Sequence, residues 1–451
     1  MADDITTWGI DRLTTAFRQR EASPVEVLEA LLDRIAADRD GTNAFSALDT
    51  EGARAAARAA EARYAAGTPL GPLDGVPVSV KDLVAMAGWT TQRGSRACAD
   101  DPPATEDAPA VDRLRRAGAL LFARTTTTEF GWEVGSANPL HGVTRNPRAP
   151  GRTAGGSSAG AAAQLAQGWG PLALGSDAGG SVRIPASYAG VVGFKPTWGA
   201  IPMPAVSAFA ELAHLGPMAR TVGDCARAFE VLSQPDLRDP HSLFARAPAA
   251  PHRRPRIGWA LPTAAGLAPS PAVAQAFEQA LAVWARQGFA LEPVQWPGDH
   301  DTASAMWTLW CSRLYESFVG WPAPRRALLG ERLQAAYETG AAQSMAALAQ
   351  ARVQLRDLAL RVARGFEACD LWLTPATPDV APPLDADLGH RWFDRQPYTY
   401  PFNLTQQPAL VWPLGTDADG RPFGIQLVGR RFDDAHVLAI GQQLEQALQG
   451  R

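Results

Sequence analysis

Lysine is almost absent from this sequence. Its 451 residues include 42 lysines and arginines, but only Lys81 and Lys195 are lysines. Arginine keeps its proton in proteins, whereas the ammonium group of a buried lysine can lose its proton. Lys81 lies in the segment GVPVSVKDLVA, and its persistence indicates a function that requires a neutral amine. An ion pair with the neighbouring Asp82 is the structural alternative.

Other features are also missing, and each absence narrows the class of protein. Cys98, Cys225, Cys311 and Cys369 are scattered without a CxxC pair, so we expect reduced thiols and no zinc site. The acidic N-terminus does not resemble a signal peptide, and no stretch reaches about 18 consecutive apolar residues. The net charge of −4 gives no reason to expect nucleic acid or an anionic membrane as a partner. These absences predict a soluble cytoplasmic enzyme.

The order of local signals predicts an α/β fold. Ser23 and Glu26 form a capping box around a proline at the first helical position, which predicts a helix up to about Asp38. An alanine-rich segment predicts a second helix that ends at Gly67, and VPVSVKD predicts a strand with Lys81 at its end. The same reasoning predicts a helix at DAPAVDRLRRAG, strands at ALLFAR and PFGIQLVG, and a closing helix at AHVLAIGQQLEQALQ. We expect one domain over residues 1–451.

Two regions depart from this alternation of helices and strands. Residues 138–199 are rich in glycine, proline and serine, and we expect a long functional loop there. Residues 235–255 have the composition of an exposed linker or insertion. After a strand at IGWAL, the region 235–370 is expected to be a mainly helical, tryptophan-rich insertion on the substrate side. Trp307 and Trp310 can share one helix face, where they either pack in the core or form the aromatic wall of an apolar substrate pocket.

Two glycine- and serine-rich clusters carry the candidate chemistry: AGGSSAG at residues 154–160 and SDAGGSVRIP at residues 176–185. Each places a serine after two glycines and before an expected helix start, where backbone N–H groups and the helix dipole can hold an oxyanion. A serine there can be a nucleophile if a base accepts its proton. His141 is the only histidine between residues 70 and 200, so Lys81 is the candidate base. The same clusters are compatible with phosphate binding.

The sequence resembles the amidase signature family over about residues 5–450. The segments that carry the resemblance are GPLDGVPVSVKD, TRNPRAPGRTAGGSSAGAAAQLA, PLALGSDAGGSVRIPASYAGVVGFKPT, HLGPMARTVGD, YPFNLTQQPALVWPLG and GRPFGIQLVGRRFDDAHVL. The resemblance implies the amidase signature fold, an α/β fold whose mixed central β-sheet is covered by α-helices on both faces, with a signature core at about residues 70–200. It also implies an amidohydrolase that needs no metal or organic cofactor.

The resemblance further implies roles for individual residues. Ser181 would be the nucleophile, Ser157 would be a bridging serine after a cis peptide bond at Gly156, and Lys81 would be the neutral base. The 24 residues that separate Ser157 from Ser181 match the family spacing. Lys195 matches a family lysine that looks structural. The N–H groups of Ala178, Gly179, Gly180 and Ser181 would form the oxyanion hole, and the residues that support Lys81 and the loop would be Ser158, Asp177 and Arg183.

The expected reaction is cleavage of the C–N bond of a carboxylic amide or a carbamate (urethane) through an acyl-enzyme on Ser181. The tryptophan-rich segment favours a substrate with a bulky apolar or aromatic group. Gln406 stands where the family usually has glycine. We therefore expect Trp307, Trp310 and Gln406 to bind substrate. The expected partner is a small molecule, with no nucleic acid and no membrane, for a protein that is a monomer or a homodimer.

Three alternatives remain open at this point. The first is the amidotransferase component that serves glutamyl-tRNA, although Gln396 stands where that component carries an acidic residue. The second is an α/β-hydrolase esterase, because GSSAG fits GxSxG with Ser158 as the nucleophile and His390 or His436 can follow it. The third is a binding module whose glycine-rich turns hold an anion. Replacement of Lys81 by methionine would abolish turnover by an amidase and barely affect an esterase.

Overall fold

The computed structural model describes residues 4–38, 41–203, 209–243, 254–261, 268–386, 392–394 and 396–449. His390 and residues 244–253 of the expected linker lie outside the described residues. Among the helices of the described residues, none combines the length and the apolar character needed to cross a membrane.

A mixed sheet of eleven strands forms the centre of the fold. The strands of the described residues are β1 (Phe45–Leu48), β2 (Pro77–Lys81), β3 (Leu120–Thr125), β4 (Ala137–Asn138), β5 (Gly142–Val143), β6 (Leu172–Asp177), β7 (Val192–Lys195), β8 (His214–Ala219), β9 (Arg256–Trp259), β10 (Ala290–Pro293), β11 (Leu371–Pro375), β12 (Ala409–Thr416) and β13 (Pro422–Gly429). The central sheet has the order β1-β3-β2-β6-β8-β7-β12-β13-β11-β9-β10, and β4 pairs with β5 separately. β2 is parallel to β3 and β6, whereas β8 is antiparallel to β6 and β7.

Helices flank this sheet, which confirms the predicted fold class. The helices of the described residues are α1 (Ile10–Gln19), α2 (Pro24–Ala36), α3 (Thr50–Ala66), α4 (Pro109–Arg116), α5 (Ala159–Gln167), α6 (Arg183–Ala189), α7 (Val222–Leu232), α8 (Pro271–Arg286), α9 (His300–Phe318), α10 (Ala323–Arg326), α11 (Glu331–Ala341), α12 (Met345–Ala368), α13 (Pro401–Leu404) and α14 (Asp434–Gln449). The predicted capping box is present, because Ser23 Oγ accepts from the Glu26 N–H and the Glu26 carboxylate accepts from the Ser23 N–H. Gly67 ends α3 with φ 74°, as predicted.

The sheet order brings the lysine strand next to the second glycine-rich cluster. β2 and β6 are parallel neighbours, with Val78 opposite Leu172 and Val80 opposite Leu174. Parallel strands end at the same edge of a sheet, and ligands of α/β proteins bind beyond such carboxyl ends. Lys81 is the last residue of β2, and the cluster of residues 176–185 begins where β6 ends. The fold therefore places Lys81 close to both serine clusters.

The structure differs from two expectations about chain organisation. Residues 138–199 are not one long loop, since they contain β6 and β7 as well as α5 and α6. Their small residues permit close packing, because a Cβ atom at Gly160 would lie 2.1 Å from the Ala44 carbonyl oxygen. In the region 235–370, β9 agrees with the strand expected at IGWAL, but β10 is a further strand that was not expected and that extends the sheet beyond β9.

Candidate active site

Lys81 is completely buried at the carboxyl end of β2. Its Nζ atom lies within hydrogen-bond distance of three oxygens: Ser157 Oγ at 2.7 Å, Ser158 Oγ at 2.9 Å and the Ser176 carbonyl at 3.3 Å. Burial lowers the pKa of Lys81 well below its ordinary value, and the charge of Asp177 opposes this shift only in part. The surroundings therefore favour a neutral amine.

Asp82, the alternative partner of Lys81, binds elsewhere. Its Oδ1 atom accepts hydrogen bonds from Nε and Nη2 of Arg124, at 3.1 and 2.8 Å, and both side chains are buried. The Gln92 N–H also donates to this oxygen, at 3.1 Å. Adjacent residues of an extended chain point to opposite sides, which explains why neighbours in sequence do not pair here. The structure therefore contradicts the ion pair of Lys81 with Asp82.

Ser157 and Ser158 are positioned by the turn that precedes α5. The peptide bond between Gly156 and Ser157 is cis, as the resemblance implies. A Cβ atom at Gly156 would lie 2.0 Å from the Gly135 carbonyl oxygen, so the turn requires glycine there. The Ser158 N–H donates to the Ser181 carbonyl at 3.1 Å, which joins the two glycine-rich clusters directly.

Ser181 lies in the turn between β6 and α6, and its side chain borders the same cavity as Ser157. The N–H of Gly180 donates to Asp177 Oδ1 at 2.8 Å, so this group is not available to an oxyanion, and its expected place in the oxyanion hole is corrected. The N–H groups of Gly179 and Ser181 donate to no other part of the described chain. Gly180 itself has φ 136°, a value that favours glycine. The Ala178 N–H likewise has no hydrogen-bond partner among the described residues, so the turn leaves three of the four expected donors, those of Ala178, Gly179 and Ser181, for a developing negative charge.

Asp177 and Arg183 form a buried ion pair that fixes this turn. Arg183 donates to both carboxylate oxygens, at 2.9 and 3.0 Å, and neither side chain is exposed. Burial acts to raise the pKa of Asp177, but the Arg183 guanidinium, together with Lys195 and the hydrogen bond from Asn403, outweighs it and holds this pKa well below its usual range. Asn403 donates to Asp177 Oδ1 at 2.8 Å, and Arg183 donates to Asn403 and Gln426 at 2.6 and 2.7 Å. The expected supporting role of Asp177 and Arg183 agrees with these contacts.

A cavity of about 140 Å³ opens beside the serines. Its apolar lining includes Leu83, Val84, Phe130, Met203, Phe209 and Leu215. Its polar lining is Arg93, Ser157, Ser176, Asp177 and Ser181. A mostly apolar cavity with a few polar groups at one side has the character of a small-molecule site.

The predicted aromatic wall does not border this cavity. Trp310 is buried in the core behind it, where its Nε1 donates to the Trp132 carbonyl at 3.0 Å and its ring stacks on Phe209 at 3.8 Å. Trp307 lies against Trp132, with 6.4 Å between ring centroids. The described aromatic residues of the cavity wall are instead Phe130 and Phe209. Trp310 is therefore a core residue, and the half-buried Trp307 packs against the same core.

Gln406 and Lys195 also lie outside the cavity lining. Gln406 occupies a left-handed turn with φ 63°, and its carbonyl accepts from the Trp198 N–H at 3.2 Å. The left-handed backbone explains why the family usually has glycine at this position, and the expected substrate contact of Gln406 is not found in the cavity lining. Lys195 is buried, and its Nζ donates to the carbonyls of Pro196 and Gln407. These contacts agree with the structural role expected of Lys195.

The esterase alternative finds no support in the described residues. Ser158 Oγ donates to the Ser176 carbonyl at 3.2 Å and accepts from Lys81, and Ser158 is completely buried. No strand directly precedes Ser158, as a nucleophile elbow requires, in the part of the chain that the structure describes. His436 lies on α14, where Nδ1 is 3.2 Å from Asp433, and does not line the cavity of Ser181.

Several residues of the site escaped prediction from the sequence. Asn403 and Gln426 are polar residues in otherwise apolar segments, YPFNL and GIQLVG, and this contrast was a signal that they are buried with partners. Arg93 and Phe130 reach the cavity from turns distant in sequence from both serine clusters, with φ 56° and 50° respectively. Local pattern offers no signal for such positions.

Comparison with known proteins identifies the chain. The family model described as Amidase matches residues 26–438. This chain belongs to the amidase signature family. It is similar to an acylamidase of Rhodococcus erythropolis, with 34% identity over 94% of this chain and 92% of that protein. It is also similar to a component of the glutamyl-tRNA(Gln) amidotransferase of Symbiobacterium thermophilum, with 33% identity over 95% of this chain and 94% of that protein.

Solved structures of the family agree with this assignment. A bacterial aryl acylamidase that belongs to the amidase signature enzymes superposes with a TM-score of 0.88 and 28% identity, over 98% of this chain and 96% of that chain. The amidase signature fold expected from the sequence is therefore confirmed, and the protein is an amidohydrolase of this family.

Proposed function

We propose that this amidase signature protein cleaves the C–N bond of a carboxylic amide or a carbamate through an acyl-enzyme on Ser181. One observation carries the proposal: a buried lysine, whose pKa is lowered, contacts Ser157 beside the cavity that Ser181 also lines. A nucleophilic serine needs a base within reach of its proton, directly or through one relay group. The contact of Lys81 with Ser157 supplies the base and the relay.

The hydrogen bonds around Lys81 support one direction for the relay. A neutral amine has two donors and one lone pair. The Ser176 carbonyl can only accept, and Ser158 Oγ gives its own hydrogen to that carbonyl and so accepts from Lys81. The lone pair of Lys81 therefore faces Ser157, whose hydroxyl proton it can take at 2.7 Å. Ser157 in turn takes the proton of Ser181.

The reaction follows from this relay. Ser181 Oγ attacks the carbonyl carbon, and the N–H groups of Ala178, Gly179 and Ser181 hold the oxyanion that forms. The C–N bond breaks as the proton on Lys81 returns through Ser157 to the leaving nitrogen. Water then attacks the acyl-enzyme and gives its proton to the same relay. The bond between the acyl carbon and Ser181 Oγ then breaks, the relay returns its proton to Oγ, and the acid is released.

The cavity supports a substrate with an apolar or aromatic group. Its volume of about 140 Å³ is close to the roughly 150 Å³ of an engineered cavity that holds one benzene molecule. Phe130 and Phe209 offer ring faces and edges to such a group. An aryl amide or an aryl carbamate fits this lining better than a small, fully polar amide.

A panel of chromogenic substrates tests the proposal. A 4-nitroanilide, an aryl carbamate and an aryl ester are incubated with the wild type and with the Ser181→Ala and Lys81→Met variants. Amide or carbamate turnover should fall at least about a hundredfold in both variants, since general base catalysis contributes about 10²–10⁴ in rate. Thermal unfolding of each variant shows whether the fold is retained. Amide turnover that is retained in both variants would refute the proposal.

A glutaminase function is the second candidate, because a component of a glutamyl-tRNA(Gln) amidotransferase is among the similar proteins. The position expected to hold an acidic residue carries Gln396 instead, whose Nε2 donates to the Tyr188 hydroxyl. Because the Gln396 side chain is neutral, it cannot form an ion pair with the ammonium group of free glutamine. Release of ammonia from glutamine at a rate above that for the aryl substrates would favour this second candidate.

A further inference from the structure

Arg93 is the one positively charged side chain among the described residues that line the cavity of Ser181. It belongs to the segment that follows the strand of Lys81, and it takes no part in the proposed proton relay. The remaining lining is mostly apolar, so a single guanidinium has a large influence on which substrates can enter.

The backbone holds Arg93 in an uncommon conformation. Its φ of 56° is in the left-handed region, which residues other than glycine rarely occupy. The Arg93 N–H donates to the Asp82 carbonyl at 3.1 Å, and the Arg93 carbonyl accepts from the Phe130 N–H at 2.8 Å. These two bonds tie Arg93 to the end of the Lys81 strand and to the cavity wall. Unusual backbone that is fixed by its surroundings is often found where a side chain must be aimed at a ligand.

Most donors of Arg93 are free. Its Nη1 donates to the Thr91 carbonyl at 3.0 Å and to Cys98 Sγ at 3.7 Å, but Nε and Nη2 donate to no residue that the structure describes. The closest acid, Asp101, is 3.7 Å from Nη1, which is too long for a hydrogen bond. Both oxygens of Asp101 accept from Arg325 at 2.7 Å. Arg325 therefore satisfies Asp101, and the Nε and Nη2 edge of Arg93 remains available.

The charges of the other polar residues around the cavity are already balanced or absent. Asp177 pairs with Arg183, and Lys81 lies in surroundings that favour its neutral form. The guanidinium of Arg93 is thus left without a full counter-charge. A carboxylate matches a free Nε and Nη2 edge, because the two N–H groups can donate to its two oxygens in parallel.

We propose that Arg93 selects substrates that carry a carboxylate, an inference that rests on the proposed function. The substrate class is an amide or carbamate of an apolar skeleton with one carboxylate, whose two oxygens accept from Nε and Nη2 of Arg93 while Ser181 attacks the scissile carbonyl. The apolar lining holds the skeleton between these two points. Neutral amides of the same size lack this anchor and react less well.

A matched pair of substrates tests the inference. Succinic acid mono-4-nitroanilide carries the carboxylate, and its methyl ester is the neutral counterpart. The ratio of kcat/KM for the acid to that for the ester should fall about ten- to a hundredfold in Arg93→Gln, in line with hydrogen bonds to charged groups. Arg93→Lys should retain part of the preference, because it keeps the charge but loses the paired donors. Arg96→Gln is the matched control: it removes the same charge from an exposed neighbour outside the cavity lining, and should keep the wild-type ratio.

The outcomes separate this inference from the proposed function. Turnover lost in Ser181→Ala, together with an acid-to-ester ratio that is the same in the wild type and Arg93→Gln, overturns the role of Arg93 and keeps the function. Binding of both compounds to the Ser181→Ala variant, measured by calorimetry, gives a readout without turnover. Tighter binding of the acid that disappears when Arg93→Gln is added supports the inference. Equal affinities, or no binding of the acid, overturn it.

Discussion

Replacement of Lys81 by methionine should change how stability depends on pH. Burial lowers the pKa of Lys81 in the folded protein, whereas the unfolded chain keeps a value near 10.4. Between these two values, the unfolded state binds one proton more at this residue than the folded state does. The free energy of unfolding of the wild type therefore rises with pH in this window. Methionine does not titrate, so the Lys81→Met variant lacks this contribution.

The magnitude follows from the count of one proton. The difference in free energy of unfolding, wild type minus Lys81→Met, should rise by about 1.4 kcal/mol for each pH unit while the folded lysine is neutral and the unfolded lysine is charged. Lys195, whose pKa is also lowered by burial, is present in both proteins and cancels in the difference. The slope therefore reports on Lys81 alone.

The assay is urea unfolding of both proteins at several values between about pH 7.5 and pH 9, followed by circular dichroism. Ser187→Ala is the control, because it removes the buried hydrogen bonds of Ser187 with Thr377 and Gly424 without removing a titratable group. Its curve should run parallel to that of the wild type. A flat difference between the wild type and Lys81→Met would show that Lys81 stays protonated in the folded state, and would refute its role as a base.

Two further predictions concern residues that the structure places away from the substrate. Trp310→Phe removes the hydrogen bond to the Trp132 carbonyl and part of the stack on Phe209, and should lower the free energy of unfolding by about 1–3 kcal/mol in urea titrations. If KM for aryl substrates rises while the free energy of unfolding is unchanged, Trp310 contributes to the pocket wall and this prediction is wrong. Gln406→Gly relieves a left-handed backbone and should stabilise the protein by up to about 1 kcal/mol, seen as a rise in Tm. A lower Tm would show that the Gln406 side chain contributes more than its backbone costs.

Much of the fold could be predicted because its local signals are strong. The capping box at Ser23, the glycine stop at Gly67 and the β-branched strand before Lys81 each act within a few residues, and the structure contains all three elements. The short strand β10 could not be recognised in the same way, because ALEP has no alternation and lies at the edge of the sheet. Its place depends on pairing with β9, which is a tertiary interaction.

The candidate site shows the same division between local and long-range information. The rarity of lysine singled out Lys81, and the serine clusters pointed to Ser157 and Ser181, which the structure brings to one cavity. The sequence could not reveal that Asp177 accepts the Gly180 N–H, since that bond depends on the exact turn geometry. Nor could it separate core tryptophans from pocket tryptophans, because both lie on apolar helix faces.

The proposed reaction requires Ser181 to carry the acyl group during turnover. Its most direct test is acid quenching of the wild type during reaction with a slowly cleaved aryl carbamate, followed by mass spectrometry of the intact protein and its peptides. We expect a mass increase equal to the carbamoyl group, located on Ser181 and absent from Ser181→Ala. A group found on Ser158, or one that still forms in Ser181→Ala, would contradict it.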